Sequence, residues 1–149
     1  MGLETEVGVF VDGVLNYFST AVQQGAQCGT PHLALNDMPE LADYTGVIKV
    51  SGKRSGLVVF TAPKSMLSVM LMRMQETDMS HENLSDLAGE IANTLAGNAR
   101  REFGQQFQIS VPELHPDRAR ALPYPAASRP IVIPIDWRNY HARLIVCLN

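Results

Sequence analysis

The apolar positions of this chain change period several times, and each change marks an element. Val7, Phe10, Val11, Val14, Leu15, Phe18 and Val22 recur at helical spacing, which predicts an amphipathic helix over 4–24 ending near Gly25. Cys28 to Leu35 reads as a short strand or extended link. Tyr44–Val50 and Leu57–Thr61 are rich in β-branched residues and flank Ser-Gly-Lys-Arg-Ser-Gly, so they predict a hairpin. Pro63 suits the opening of a second helix, whose buried stripe is Met66, Leu67, Met70, Leu71 and Met74. Asp78 to Ser80 breaks that pattern, and Ser80 can cap a third helix.

This third helix is long and has two unlike faces. Leu84, Leu87, Ala88, Ile91, Leu95 and Ala99 share one side, the stripe of a core-packed helix. Asp86, Gly89, Glu90, Asn93, Gly97 and Arg100 fall on the other, with Ala96 beside them. Glu90 and Asn93, three apart, lie about 60° from one another on that outer side. A solvated helix face is ordinarily built from good helix formers, and each glycine here costs about 1 kcal/mol relative to Ala. Either a neighbouring part of the same chain packs closely on the glycines, or small residues around one carboxylate and one carboxamide let another protein approach.

Beyond a fraying end near Gly104, Phe107–Val111 reads as a strand. Pro112 to Pro130 holds five prolines and predicts an exposed connection. Ile131–Ile135 and Ala142–Leu148 are the last strands. Pro134 cannot donate to a ladder, so its strand is expected at an edge or at a bulge. The order helix, strands, two helices, strands predicts an α+β domain with a largely antiparallel sheet packed with three helices, and the 149 residues suit one such domain.

Composition narrows the function classes. Apolar content of 46% with 18% charged residues belongs to a folded domain, and a net charge of −3 gives no electrostatic footprint for nucleic acid. No apolar run reaches membrane-spanning length, and Glu4 and Glu6 precede the first apolar patch, which is wrong for a signal peptide, so a cytoplasmic protein without a membrane partner is expected. Cys28 and Cys147 sit outside any CxxC pattern and read as free thiols. The four histidines lack metal-ligand spacing, and the chain has no GxSxG elbow, P-loop or GxGxxG. No self-contained covalent machinery, cofactor site or metal site is therefore expected.

Within Gly-Glu-Ile-Ala-Asn-Thr-Leu-Ala-Gly-Asn-Ala, the Glu90-x-x-Asn93 pair resembles the signature of the CheX/CheC family, chemotaxis phosphatases that act on a phosphorylated response regulator. The hairpin Gly46–Phe60 and Pro63 also resemble the segment preceding that helix in CheX. The resemblance implies a CheX-like fold and a CheY-like receiver domain, phosphorylated on Asp, as partner and substrate. It implies that Asn93 orients the attacking water, that Glu90 pairs with a receiver Lys, and that any Mg²⁺ is held by the receiver. An amide suits that task, since its carbonyl accepts from water and its NH₂ donates without a proton transfer. Asp86, Gly89 and Gly97 are the expected rim of the docking surface. Asn98, on the core side of the wheel, is expected to bond neighbouring backbone.

CheC proteins carry two such motifs and this chain has one, so the resemblance favours CheX, which implies a homodimer built through sheet edges. The apolar run Leu144–Leu148 fits that expectation if it is an unpaired edge strand. A non-enzymatic module that binds or sequesters a receiver is the alternative reading.

Overall fold

In the computed structural model, which describes residues 2–34 and 38–149, three helices lie on one face of an eight-stranded antiparallel sheet. The elements are α1 (Leu3–Tyr17), β1 (Gln27–Cys28), β2 (His32–Leu33), β3 (Tyr44–Gly52), β4 (Gly56–Ala62), α2 (Lys64–Arg73), α3 (His81–Phe103), β5 (Phe107–Ile109), β6 (Glu113–Leu114), β7 (Ile131–Trp137) and β8 (Tyr140–Leu148). The strand order is β1-β7-β8-β4-β3-β5, with β2 also on β7 and β6 also on β3. Leu35, the expected end of the first extended link, lies outside the described residues.

The helical face of the sheet carries the main core. Phe10, Val14, Phe18, Met66, Leu67, Met70, Leu84, Ile91, Leu95 and Trp137 are all buried there, as the stripes on each helix require. The first helix departs from the expected 4–24. Its regular part stops at Tyr17, a single π turn continues over Phe18–Val22, and Gln23 rather than Gly25 takes the left-handed conformation, with φ of 59°. Distant donors meet the freed carbonyls: Arg73 Nε and Nη2 donate to Val22 O at 3.2 Å and Gln23 O at 3.0 Å, and Trp137 Nε1 donates to Gln24 O at 3.1 Å.

Three expectations are corrected by the strand order. The final apolar run is not an edge: β8 lies between β7 and β4, paired with β7 over Tyr140–Val146 and with β4 over Arg143–Leu148. Pro134 sits one strand in from the edge, where β7's outer partner is broken into β1 and β2, and its carbonyl accepts from Gly29 N–H at 2.9 Å. The proline-rich connection is not simply exposed. Leu122 from it is buried on the rear of the sheet with Val47, Leu57, Val59 and Ile145, and Leu41 and Tyr124 pack around them. Both outer edges of the sheet are segments of two or three residues, which blunts them against uncontrolled pairing.

Candidate functional site

The site is built on α3, and its start is pinned. Ser80 caps the helix by accepting from Asn83 N–H at 3.2 Å, and Ser80 N–H donates to Asp78 Oδ1 at 2.9 Å. Hydrogen bonding from Ser80, chiefly from its backbone N–H and then from its side chain, holds the Asp78 carboxyl below its usual range. Tyr44 Oη lies 3.0 Å from His81 Nδ1, joining the first residue of α3 to the first residue of β3. Below this anchor the helix lays Leu84, Leu87, Ala88, Ile91, Leu95 and Ala99 into the core. The outer side leaves Asp86, Glu90, Asn93 and Arg100 exposed. These residues fall where the 3.6-residue period puts them, whereas Gly89 and Ala96, expected on or beside the outer face, are buried.

Two neighbours bracket the exposed strip. On the flank beyond Glu90, α1 runs antiparallel to α3. Phe10 packs on Phe103 with ring centroids 6.1 Å apart, a Cβ on Gly13 would stand 3.6 Å from Leu95 Cδ2 and 3.7 Å from Asn98 Nδ2, and Tyr17 is buried near Glu90. Burial, with the charge of Glu90 added, pushes the Tyr17 phenol well above its ordinary pKa, so it stays a neutral hydroxyl. On the opposite flank lies the stretch joining β5 to β6. Gly89 is about 40° around the helix from Asn93 on this side.

Gly89 itself is a correction to the wheel. It is buried, not open: a Cβ there would stand 3.3 Å from both Pro112 Cβ and Leu114 Cδ2. Beneath it, a Cβ on Gly46 of β3 would meet Ala88 O at 2.6 Å and Gly89 Cα at 2.8 Å. The packing of one chain on itself accounts for this glycine. Gly97 is different, since it is half-buried and a Cβ there would meet nothing within 4 Å. Asn98 is half-buried and accepts from the Arg101 guanidinium rather than bonding backbone.

Among the described residues, Glu90, Asn93 and Asp86 have no side-chain hydrogen-bond or ion-pair partner. No three His, Cys, Asp or Glu side chains among them are arranged to hold a metal ion, and no helix among them is long and apolar enough to cross a membrane. Cys28 and Cys147 are unpaired thiols. Burial raises the pKa of both, with the charge of Asp136 adding to the rise at Cys28.

The chemistry offered is that of a firmly held helix presenting one carboxylate and one carboxamide a turn apart. Nothing in the pattern of the sequence marks the flanks. Tyr17 hides among the apolar residues of α1, and Pro112 and Leu114 read only as part of a connection.

The family model for the chemotaxis phosphatase CheX matches residues 44–136, more than half of the chain, and the chain belongs to that family. Among solved structures, the chemotaxis protein CheX of Vibrio vulnificus superposes with a TM-score of 0.82 at 19% identity, covering 97% of this chain and 99% of that one. A putative chemotaxis protein of Desulfovibrio vulgaris Hildenborough gives 0.84 at 24% identity, covering 99% and 98%. CheX of Borrelia burgdorferi, crystallised in a complex with CheY, BeF₃ and Mg²⁺, gives 0.74 at 13% identity, covering 97% of each chain. A search of curated proteins finds no sequence match.

Proposed function

We propose that this chain, as one CheX-like domain, dephosphorylates the aspartyl phosphate of a CheY-like receiver, with the exposed strip of α3 entering the receiver's phosphorylation site. The observation that carries the reading is the pair Glu90 and Asn93, exposed on one helix face and free of partners among the described residues. The Borrelia CheX, of the same fold, meets CheY in the presence of BeF₃ and Mg²⁺, which supports a receiver as the partner and the receiver as the holder of the metal.

Hydrolysis of an acyl phosphate joins a water oxygen to phosphorus and breaks the bond from phosphorus to the aspartate oxygen, releasing phosphate and a carboxylate. The metal on the receiver neutralises phosphoryl charge. The remaining need is a water held in line, and positioning of this kind is a large part of catalysis in phosphoryl transfer. Asn93 meets that need through its carbonyl and NH₂, and a wrong orientation of the water would be as costly as its absence. Glu90 pairs with a receiver Lys and fixes the register. Asp86, one turn nearer the helix start, and the open backbone at Gly97 rim the contact. Gly89 contributes from beneath, through its packing on Gly46, Pro112 and Leu114. Among the described residues, a homodimer made through sheet edges has only β1–β2 and β5–β6 to use, because β8 is interior, and that assembly is proposed from the family resemblance alone.

Asn93→Ala is the decisive variant. The side chain is exposed, so the fold should be kept, while stimulated loss of phosphate from a phosphorylated receiver should fall by about 100-fold or more. The assay follows the receiver's phosphate with and without the protein. A folded variant that binds the receiver and turns over like wild type would overturn the water-orienting role. Wild-type protein that binds the phosphorylated receiver and leaves its phosphate lifetime unchanged would establish the sequestering module instead.

A further inference from the structure

We propose that Pro112 and Leu114, seated against Gly89 of α3, form an apolar wall of the same receiver-docking site and set its affinity. This rests on the reading of Glu90 and Asn93 as the receiver-facing pair. The connection between β5 and β6 is an unusual place for exposed apolar side chains, because its backbone is tied down. Ser110 N–H donates to Lys49 O at 2.9 Å, Lys49 N–H donates to Ser110 Oγ at 2.9 Å, and His115 N–H donates to Thr45 O at 3.0 Å. Leu114 pairs with Gly46 across the sheet. On this fixed backbone Pro112 is exposed and Leu114 is 45% exposed.

Isolated exposed apolar residues are ordinary on protein surfaces. These are set apart by position. Pro112 and Leu114 reach within 3.3 Å of the missing Cβ of Gly89, the residue before Glu90 and about 40° around the helix from Asn93. They can do so only because Gly89 has no side chain and because Gly46 lets α3 sink onto β3. The wall and the Glu90–Asn93 strip are thus one continuous surface, polar along the helix and apolar on one flank. Apolar contact beside a few oriented polar groups is the usual anatomy of a protein interface. The occupant is the phosphorylated receiver itself, because the wall is continuous with the strip that enters its phosphorylation site.

The test compares Leu114→Ser and Pro112→Ser with wild type and Asn93→Ala, measuring KM and kcat for one phosphorylated receiver, with thermal melts as fold controls. The folded Leu114 and Pro112 variants should raise KM about tenfold and leave kcat at saturation unchanged. Folded variants with wild-type KM overturn the wall. Asn93→Ala with wild-type kcat overturns the parent reading, whatever the Leu114 and Pro112 variants do. Where wild type shows no turnover, the same comparison is made from the Kd for the receiver loaded with BeF₃, and an unchanged Kd again removes the wall.

Discussion

Gly89 and Gly97 stand two turns apart on α3 and look alike in the sequence, yet one is closed and the other open. At Gly89 the helix rests on Gly46 of β3 and under Pro112 and Leu114, with no room for a methyl group that does not displace something. At Gly97 an added Cβ would enter empty space. The first glycine allows the helix to approach the sheet. The second has no such task within the chain, and its cost in helix propensity is uncompensated by any contact inside this protein. Between them lie Glu90 and Asn93. The closed end fixes where those two side chains stand, and the open end leaves room for whatever comes to them.

The largest effect should come from closing the gap at the packed end. Gly46→Ala places a methyl 2.6 Å from a backbone carbonyl and 2.8 Å from a backbone Cα of α3, and neither can swing aside as a side chain would. Stability should fall by about 3 kcal/mol, read from the midpoint of urea unfolding. A loss under about 1 kcal/mol would mean that α3 slides on β3 at little cost, and the claim that Gly46 positions the site would go with it.

Glu90→Lys acts on the exposed strip between the two glycines and should leave the fold intact. Replacing attraction by repulsion at a receiver Lys should weaken binding by about 2 kcal/mol. Added salt should weaken the wild-type complex and have the opposite or no effect on the variant, because screening now relieves a repulsion. A titration across a salt series checks both. Equal affinity for the two proteins at every salt concentration removes Glu90 from the interface.

How much is legible in the sequence differs between the two glycines for a physical reason. Local periodicity carries the inward stripe of α3, the Ser80 cap and the outward Glu90–Asn93 pair, because helix geometry alone relates residues three and four apart. It carries the β3–β4 hairpin because the β-branched runs and the turn between them are likewise local. Gly89 has no hydropathy to betray its burial, and its closest neighbour, Gly46, is remote in sequence. Its placement depends on β3, α3 and the Pro112 stretch meeting, which no single window contains. The misplacement of β8 has a related cause. Leu144–Leu148 is a continuous apolar run, which fits a strand with both faces covered better than an edge, but the pattern does not say what lies alongside. The rear cover escapes a reading of the sequence because it is performed by single residues from separate loops, Leu41 from one and Leu122 and Tyr124, set among prolines, from another.

The smallest expected effect is at the open glycine, and it has two parts that move in opposite directions. Gly97 has no positive φ and no atom near its absent Cβ, so Gly97→Ala introduces neither strain nor overlap. The substitution lowers the entropy of the unfolded chain and raises helix propensity, so stability should rise by about 0.5–1 kcal/mol, a shift in Tm of roughly 2–4 °C for a chain of this size. If the receiver's surface crosses the helix here, the added methyl meets it and KM for the phosphorylated receiver should rise by a few-fold while kcat holds. A stabilised variant with wild-type KM would assign the open backbone no part in docking. A variant that is no more stable than wild type would show that residue 97 is not held in an open stretch of regular helix, and the contrast with Gly89 would fail at its own end.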